Sequence, residues 1–353
     1  MLSPALAASP MGPWPHASQT APLPLDLFTV APVAGAAVAL HRRFRARLRR
    51  SVLAHLRAAE SAFGCELPDL IRKAKALDES RHFSPLVYHL HAALRDAMRG
   101  KDVTAVLDAL RGWETAGTSD LYDTEYRVES ILAEPWEAAH VRALRQSDPR
   151  DDLGNLTDGK TVMRGFVGSL PTEALQAYAD ALSLLRELEP VIAAEYDEYV
   201  CRLKLFHGKC LMGATSPRFF GAVFLRYEAR ETCPSLYFLE HLVHEVSHLH
   251  LYALMGEDPL FLNDESETYP SPLRSDPRPM MGVFHAAFVL ARIVRTFRRL
   301  AQSKHAYQAE VARRLPELVR CFQEALETSE VNARPTERGA RIIATMRASG
   351  EGR

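Results

Sequence analysis

The 353-residue sequence has no C-x-x-C pair, no excess of charge of either sign, no internal repeat and few stretches that read as strand. Its five cysteines (Cys65, Cys201, Cys210, Cys233, Cys321) are an odd and scattered set. That excludes a disulfide framework and a thiolate zinc site, and it points to a reducing cytosol. With 43 basic and 44 acidic residues the formal net charge is −1. Nothing in that balance suggests a nucleic-acid partner. No apolar run approaches the roughly 18 residues that span a bilayer, so a soluble chain without a membrane partner is expected. Residues 1–32 hold seven of the 22 prolines and no charged side chain before Asp26. Without a basic start or a continuous apolar core they do not read as a signal peptide, and an extended arm is expected.

What the sequence does have is helical periodicity. Leu48, Val52, Leu53 and Leu56 recur at helical spacing within a proline-free stretch after Val33, predicting a long amphipathic helix to about Ala62. Its segment "HRRFRARLRR" carries six arginines between His41 and Arg50 and reads as a solvated helix face, or less simply as a surface for an acidic peptide or a membrane. Further helices are expected near 83–99, 102–113, 125–147, 171–206, 235–254, 280–300, 305–328 and 336–348, with one strand at "FFGAVFLRY", 219–227. The turn-rich "SDPRDDLGNLTDG", 147–159, divides a helical region, 33–150, from a second region, 160–353, expected to share one core with it. The expected fold is mostly α with a small β component (α+β).

The chemistry concentrates in "HLVHEVSHLHLYAL", 241–254, with four histidines and a glutamate inside ten residues. On a helix His244 and His248 lie one turn apart on one face, and Glu245 flanks them. This is the H-E-x-x-H pattern, two cis ligands and a nearby carboxylate supplied by spacing alone. At this histidine content a second His four places after a given one arises by chance roughly one time in twenty-five, and the intervening Glu makes it rarer. His250 points to the opposite side, and His241 is about 10 Å from His248 along the axis, too far to share its ion. The residues leave the third ligand open. Asp264, Glu265 and Glu267 in "LNDESET" are the carboxylate candidates, and would suit a zinc peptidase with Glu245 as general base. His285, in the apolar "MMGVFHAAFVLARIV", is the other. Ahead of it "YPSPLRSDPRPMMG" sets Arg274 and Arg278 on a proline-stiffened strip, where a guanidinium fork could clamp a carboxylate or simply pair with Asp276.

With "LVHEVSH" followed by "SPLRSDPRPMMGVFHAAFV", and more loosely the long basic helix and the closing "RPTERGARII", the chain resembles the H-E-x-x-H proteins of peptide natural-product pathways, α-ketoglutarate-dependent peptide β-hydroxylases. The resemblance is specific over residues 236–292. It implies a non-haem iron(II) oxygenase acting on a ribosomally synthesised precursor peptide, with His244, His248 and His285 on the iron. It also implies α-ketoglutarate and O2 as cosubstrates, Arg278 or Arg274 on the distal carboxylate, and Glu245 orienting a ligand or water. A three-histidine site departs from the usual two histidines and one carboxylate. The alternatives are a zinc(II) hydrolase and a non-catalytic peptide-binding protein.

Overall fold

The computed structural model describes residues 22–123, 125–147, 163–208, 211–229 and 231–351. Helix accounts for 63% and strand for 10%, so the fold is mostly α with a small β component.

Helix α1 (Ala36–Phe63) forms where the periodicity predicts it, between glycines at φ 76° and 61°. Gly64 closes it in the left-handed conformation that a side chain disfavours. Its apolar face, Leu40, Phe44, Leu48, Val52 and Leu56, is buried. The basic stripe is neither a solvated face nor an open peptide surface. Arg43 and Arg47 both pair with Glu257, Arg45 with Glu198 and Arg49 with Glu79, leaving Arg42 and Arg50 exposed. A short α2 (Pro68–Lys75), not expected from the sequence, leads to α3 (Pro85–Gly100) and α4 (Val103–Thr115).

Two expected helices are corrected. The first, 125–147, begins instead with strand β1 (Arg127–Ser130), and only α5 (Glu137–Ser147) is helical. The second, 171–206, is cut by Pro190 into α6 (Thr172–Leu188) and α7 (Pro190–Tyr199), because proline lacks the N–H and restricts Glu189 before it. Its last residues form β2 (Arg202–Phe206). There "RLKLF" alternates with period two. Leu203 and Leu205 join the main core, while Phe206 turns to a smaller one with Trp136, Val141 and Leu144. On that second side the buried Lys204 pairs with Glu129 at 2.8 Å and Glu137 at 2.6 Å. The local pattern yields here to partners far along the chain.

The expected strand appears as β4 (Ala222–Arg226), preceded by the two-residue β3 (Gly213–Ala214). The sheet order is β1-β2-β4-β3, parallel except for β3 against β4. Strand β1 comes from before the divide proposed at 147–159 and β2 from after it, so the two regions share a sheet as well as a core. Residues 148–159 of that connection lie outside the described residues.

Helix α8 (Pro234–Met255) passes through the centre and is buried on every side from Ser235 to Leu254. After it the proline-stiffened strip forms an antiparallel hairpin, β5 (Thr268–Ser271) with β6 (Arg274–Pro279). A two-stranded ribbon tolerates Pro270, Pro277 and Pro279 because each strand has a free edge. Then follow α9 (Met280–Gln302), α10 (Gln308–Asn332) and α11 (Glu337–Glu351). Contrary to the expectation that no apolar run is long enough, α9 has the length and composition to cross a membrane. However, 78% of its apolar window is buried inside the protein. The described end of the proline-rich arm is docked, not free. Phe28 is fully buried, and the Val30 N–H donates to Thr345 Oγ1 at 3.1 Å. Residues 1–21 lie outside the described residues, as does Cys210; the other four cysteines are free thiols.

Helices α7 and α9 are joined by a buried ion pair, Arg292 with Glu195, each side chain 1% exposed. Removing one partner strands the other charge in the core. Arg292→Leu is expected to lower unfolding free energy by about 3–5 kcal/mol in urea titrations. The double variant Glu195→Leu/Arg292→Leu should recover most of it.

Candidate metal centre

The face of α8 that carries His244 and His248 continues through Tyr252 and Met255, at successive helical turns, and meets His285 of α9. His244 Nε2 and His248 Nε2 are 3.1 Å apart, and His248 Nδ1 is 3.1 Å from His285 Nδ1. His285 Nε2 in turn faces the Met255 thioether at 3.4 Å. The Tyr252 ring packs 5.2 Å from that of His285. All three histidines are buried, and burial drives each toward the neutral form, His248 to about 4 and His244 and His285 well below the ordinary value.

Neutral imidazoles each carry one N–H and one lone pair. If His285 Nε2–H donates to the sulfur, its Nδ1 accepts from His248 Nδ1–H, and His248 Nε2 accepts from His244 Nε2–H. The reverse sense would aim a lone pair at the sulfur. Either sense leaves His244 Nδ1 without a partner.

The same geometry fits a metal ion at one place. Two Nε2 atoms 3.1 Å apart, each about 2.1 Å from an ion, subtend about 95°, the angle of two adjacent octahedral positions. His285 stands on the other nitrogen of His248. It steadies the ring from behind and does not converge with the pair. The carboxylate candidates are elsewhere. Asp264 is exposed and bonded to Ser266, Glu265 is exposed, and Glu267 is tied to Tyr269 and Arg334. Arg278 makes the Asp276 pair at 3.1 Å, and its buried Nε has no hydrogen bond. The side chain of Arg274 lies outside the described residues.

The two remaining histidines of the motif stretch behave as helical geometry predicts. His250 turns away to Tyr199, 3.0 Å from its hydroxyl. His241 Nδ1–H donates to the Tyr237 carbonyl at 2.8 Å. Glu245 lies with its carboxyl 4.0 Å from His244 Nε2 and against the backbone of β3, where a Cβ on Gly213 would fall 2.5 Å from Oε1. A side chain at 213 would push the carboxyl aside. Neither carboxyl oxygen has a hydrogen bond of normal geometry. Burial pushes the group up to about 8, opposed by the Thr215 hydroxyl, so it is protonated at neutral pH.

Sequence reasoning missed Tyr252, Met255 and the β3 cradle. The first two had a signal, since both continue the face of His244 and His248. Gly213 had none, because its strand is two residues long. No family model matches this chain, and no curated protein matches it. The reading of the site therefore rests on these residues.

Glu245 also yields a pH test. Its folded value lies above that of an exposed carboxyl, so its contribution is full below about pH 4.5 and is lost as pH rises through about 8. In metal-free protein, Glu245→Gln should therefore lose less stability than wild type between pH 5 and 9. A constant Tm difference over that range would show that Glu245 ionises normally.

Proposed function

We propose that this protein is a non-haem iron(II) oxygenase that uses α-ketoglutarate and O2 to hydroxylate a β-carbon in a ribosomally synthesised peptide in the cytosol. One observation carries the choice over a hydrolase. The acidic side chains a zinc peptidase would use as third ligand are at the surface or bonded elsewhere, while His285 of α9 backs the far nitrogen of His248. The resemblance of residues 236–292 to the peptide β-hydroxylases supplies the substrate class.

In this reading His244 and His248 hold the iron through Nε2, and the His285 contact fixes the ring of His248. Bound iron supplies the oxygen activation by which one atom of O2 enters a C–H bond while α-ketoglutarate loses CO2 and becomes succinate. Neutral Glu245 offers an O–H donor that a carboxylate can accept without repulsion. Arg278 keeps a free Nε–H near the start of α9 for an acidic cosubstrate. The close packing around α8 keeps bulk water from the histidines.

The protein, reconstituted anaerobically with iron(II) and α-ketoglutarate and then given O2 and a candidate precursor peptide, should form succinate and add one oxygen atom to the peptide. His244→Ala and His248→Ala should abolish both. Zinc retained in equimolar amount, no succinate, and peptide cleavage lost in Glu245→Gln would replace this reading with the hydrolase. His285→Ala should weaken iron binding by about 10–100-fold; a loss as complete as that of His244→Ala would make His285 a direct ligand.

A further inference from the structure

A second group of ligand-type side chains lies away from that centre. His41 comes from α1, His82 from the connection before α3 and Glu198 from the end of α7. One potential ligand atom from each lies within 4.8 Å of the other two, and among the described residues this is the only such trio of His, Cys, Asp or Glu. His41 Nδ1 is 2.8 Å, and His82 Nε2 3.3 Å, from Glu198 Oε1. These are the separations that neighbouring ligands show when each is about 2.1 Å from one ion.

The surroundings suit the role. His41 is held by ring contacts to Phe220 and Tyr199 at 5.1 and 5.4 Å, and its Nε2 faces the Tyr88 hydroxyl at 3.4 Å. A partner on the far nitrogen is what orients a ligating imidazole. Burial lowers His41 to about 4, leaving it neutral. Burial alone would raise Glu198, but the hydrogen bonds from His41 and His82 outweigh it and keep the carboxylate ionised. The His82 side chain is 39% exposed, which opens the cluster to solvent and gives an ion a way in.

Arg45 shows what the cluster lacks. Its Nη1 is 2.7 Å from His41 Nδ1 and 3.3 Å from Glu198 Oε1. A guanidinium only donates and a carboxylate only accepts. No tautomer of neutral His41 serves both at one nitrogen. A cation on that lone pair and on Glu198 removes the conflict, provided the guanidinium gives way.

We propose that His41, His82 and Glu198 form a second metal site, for a divalent first-row ion of the zinc class, in which Arg45 is the resident cation that the ion displaces. Two imidazoles and one carboxylate suit such an ion, and the remaining coordination place faces solvent. The ion ties α1 and the α3 connection to α7, which packs on α8. Its role is to fix these elements, not to carry out the chemistry at His244 and His248.

The test is zinc titration of chelator-stripped full-length protein, with bound metal counted after dialysis. Wild type is expected to bind two ions, and His82→Ala and His244→Ala one each; His82 is partly exposed, so its removal should not unfold the chain. In the His244→Ala background zinc should raise Tm, and His82→Ala should abolish that rise. Arg45→Met should tighten this site about tenfold. Unchanged stoichiometry in His82→Ala, or no gain in affinity on removing Arg45, would overturn the proposal and leave the cluster an ion-paired lock. A single wild-type ion that is lost in His82→Ala but kept in His244→Ala would uphold it and sink the oxygenase reading instead.

Discussion

Helix α8 is buried on every side while carrying four histidines and two glutamates. A polar group taken from water without a partner costs free energy, and much of the surrounding fold meets that demand. Glu240 is paired by Arg314 from α10, His250 by the Tyr199 hydroxyl from α7, and Ser247 by the carbonyl of Val243. Four atoms remain unanswered: His241 Nε2, His244 Nδ1 and both oxygens of Glu245. Two of these residues belong to the H-E-x-x-H motif. Unpaired buried polar atoms at the motif support its proposed reading as a binding place.

How much of this was legible in the sequence depended on whether the cause was local. The pairing of His244 with His248 follows from one helical turn, and the turning away of His250 from the same arithmetic. The boundaries of α1, α3 and α4 follow from periodicity and from Gly35, Gly64, Pro85 and Asp102 at their ends. Strands β1 and β2 were missed because their stability comes from each other and from the charges of Lys204 and Glu137, 67 positions apart. The alternation in "RLKLF" was present, but buried charges on one face disguised it. The paired fate of the arginines on α1 was equally hidden, since Glu257 and Glu79 are distant in sequence.

The two histidine clusters show the same contrast. One is written within five residues and needs α9 only to bring His285. The other draws His41, His82 and Glu198 from three elements, and no spacing rule joins them. In each, burial keeps an imidazole neutral: His244, His248 and His285 in the first, His41 in the second. The wall between them is aromatic: Tyr199 touches His41 on one side and hydrogen-bonds His250 of α8 on the other.

The central position of α8 also sets a schedule for biosynthesis. Its partners α1, α6 and α7 precede it in the chain, but α9, which covers it and brings His285, ends at Gln302, 47 residues after Met255. At about 5–20 residues per second the ribosome needs roughly 2–9 s to deliver that cover. For those seconds an apolar helix with two convergent histidines is open on one side to chaperones and free metal. Under the proposed reading, an ion that reaches the pair at this stage meets a half-built site, so metal choice would depend partly on what the cell offers during translation.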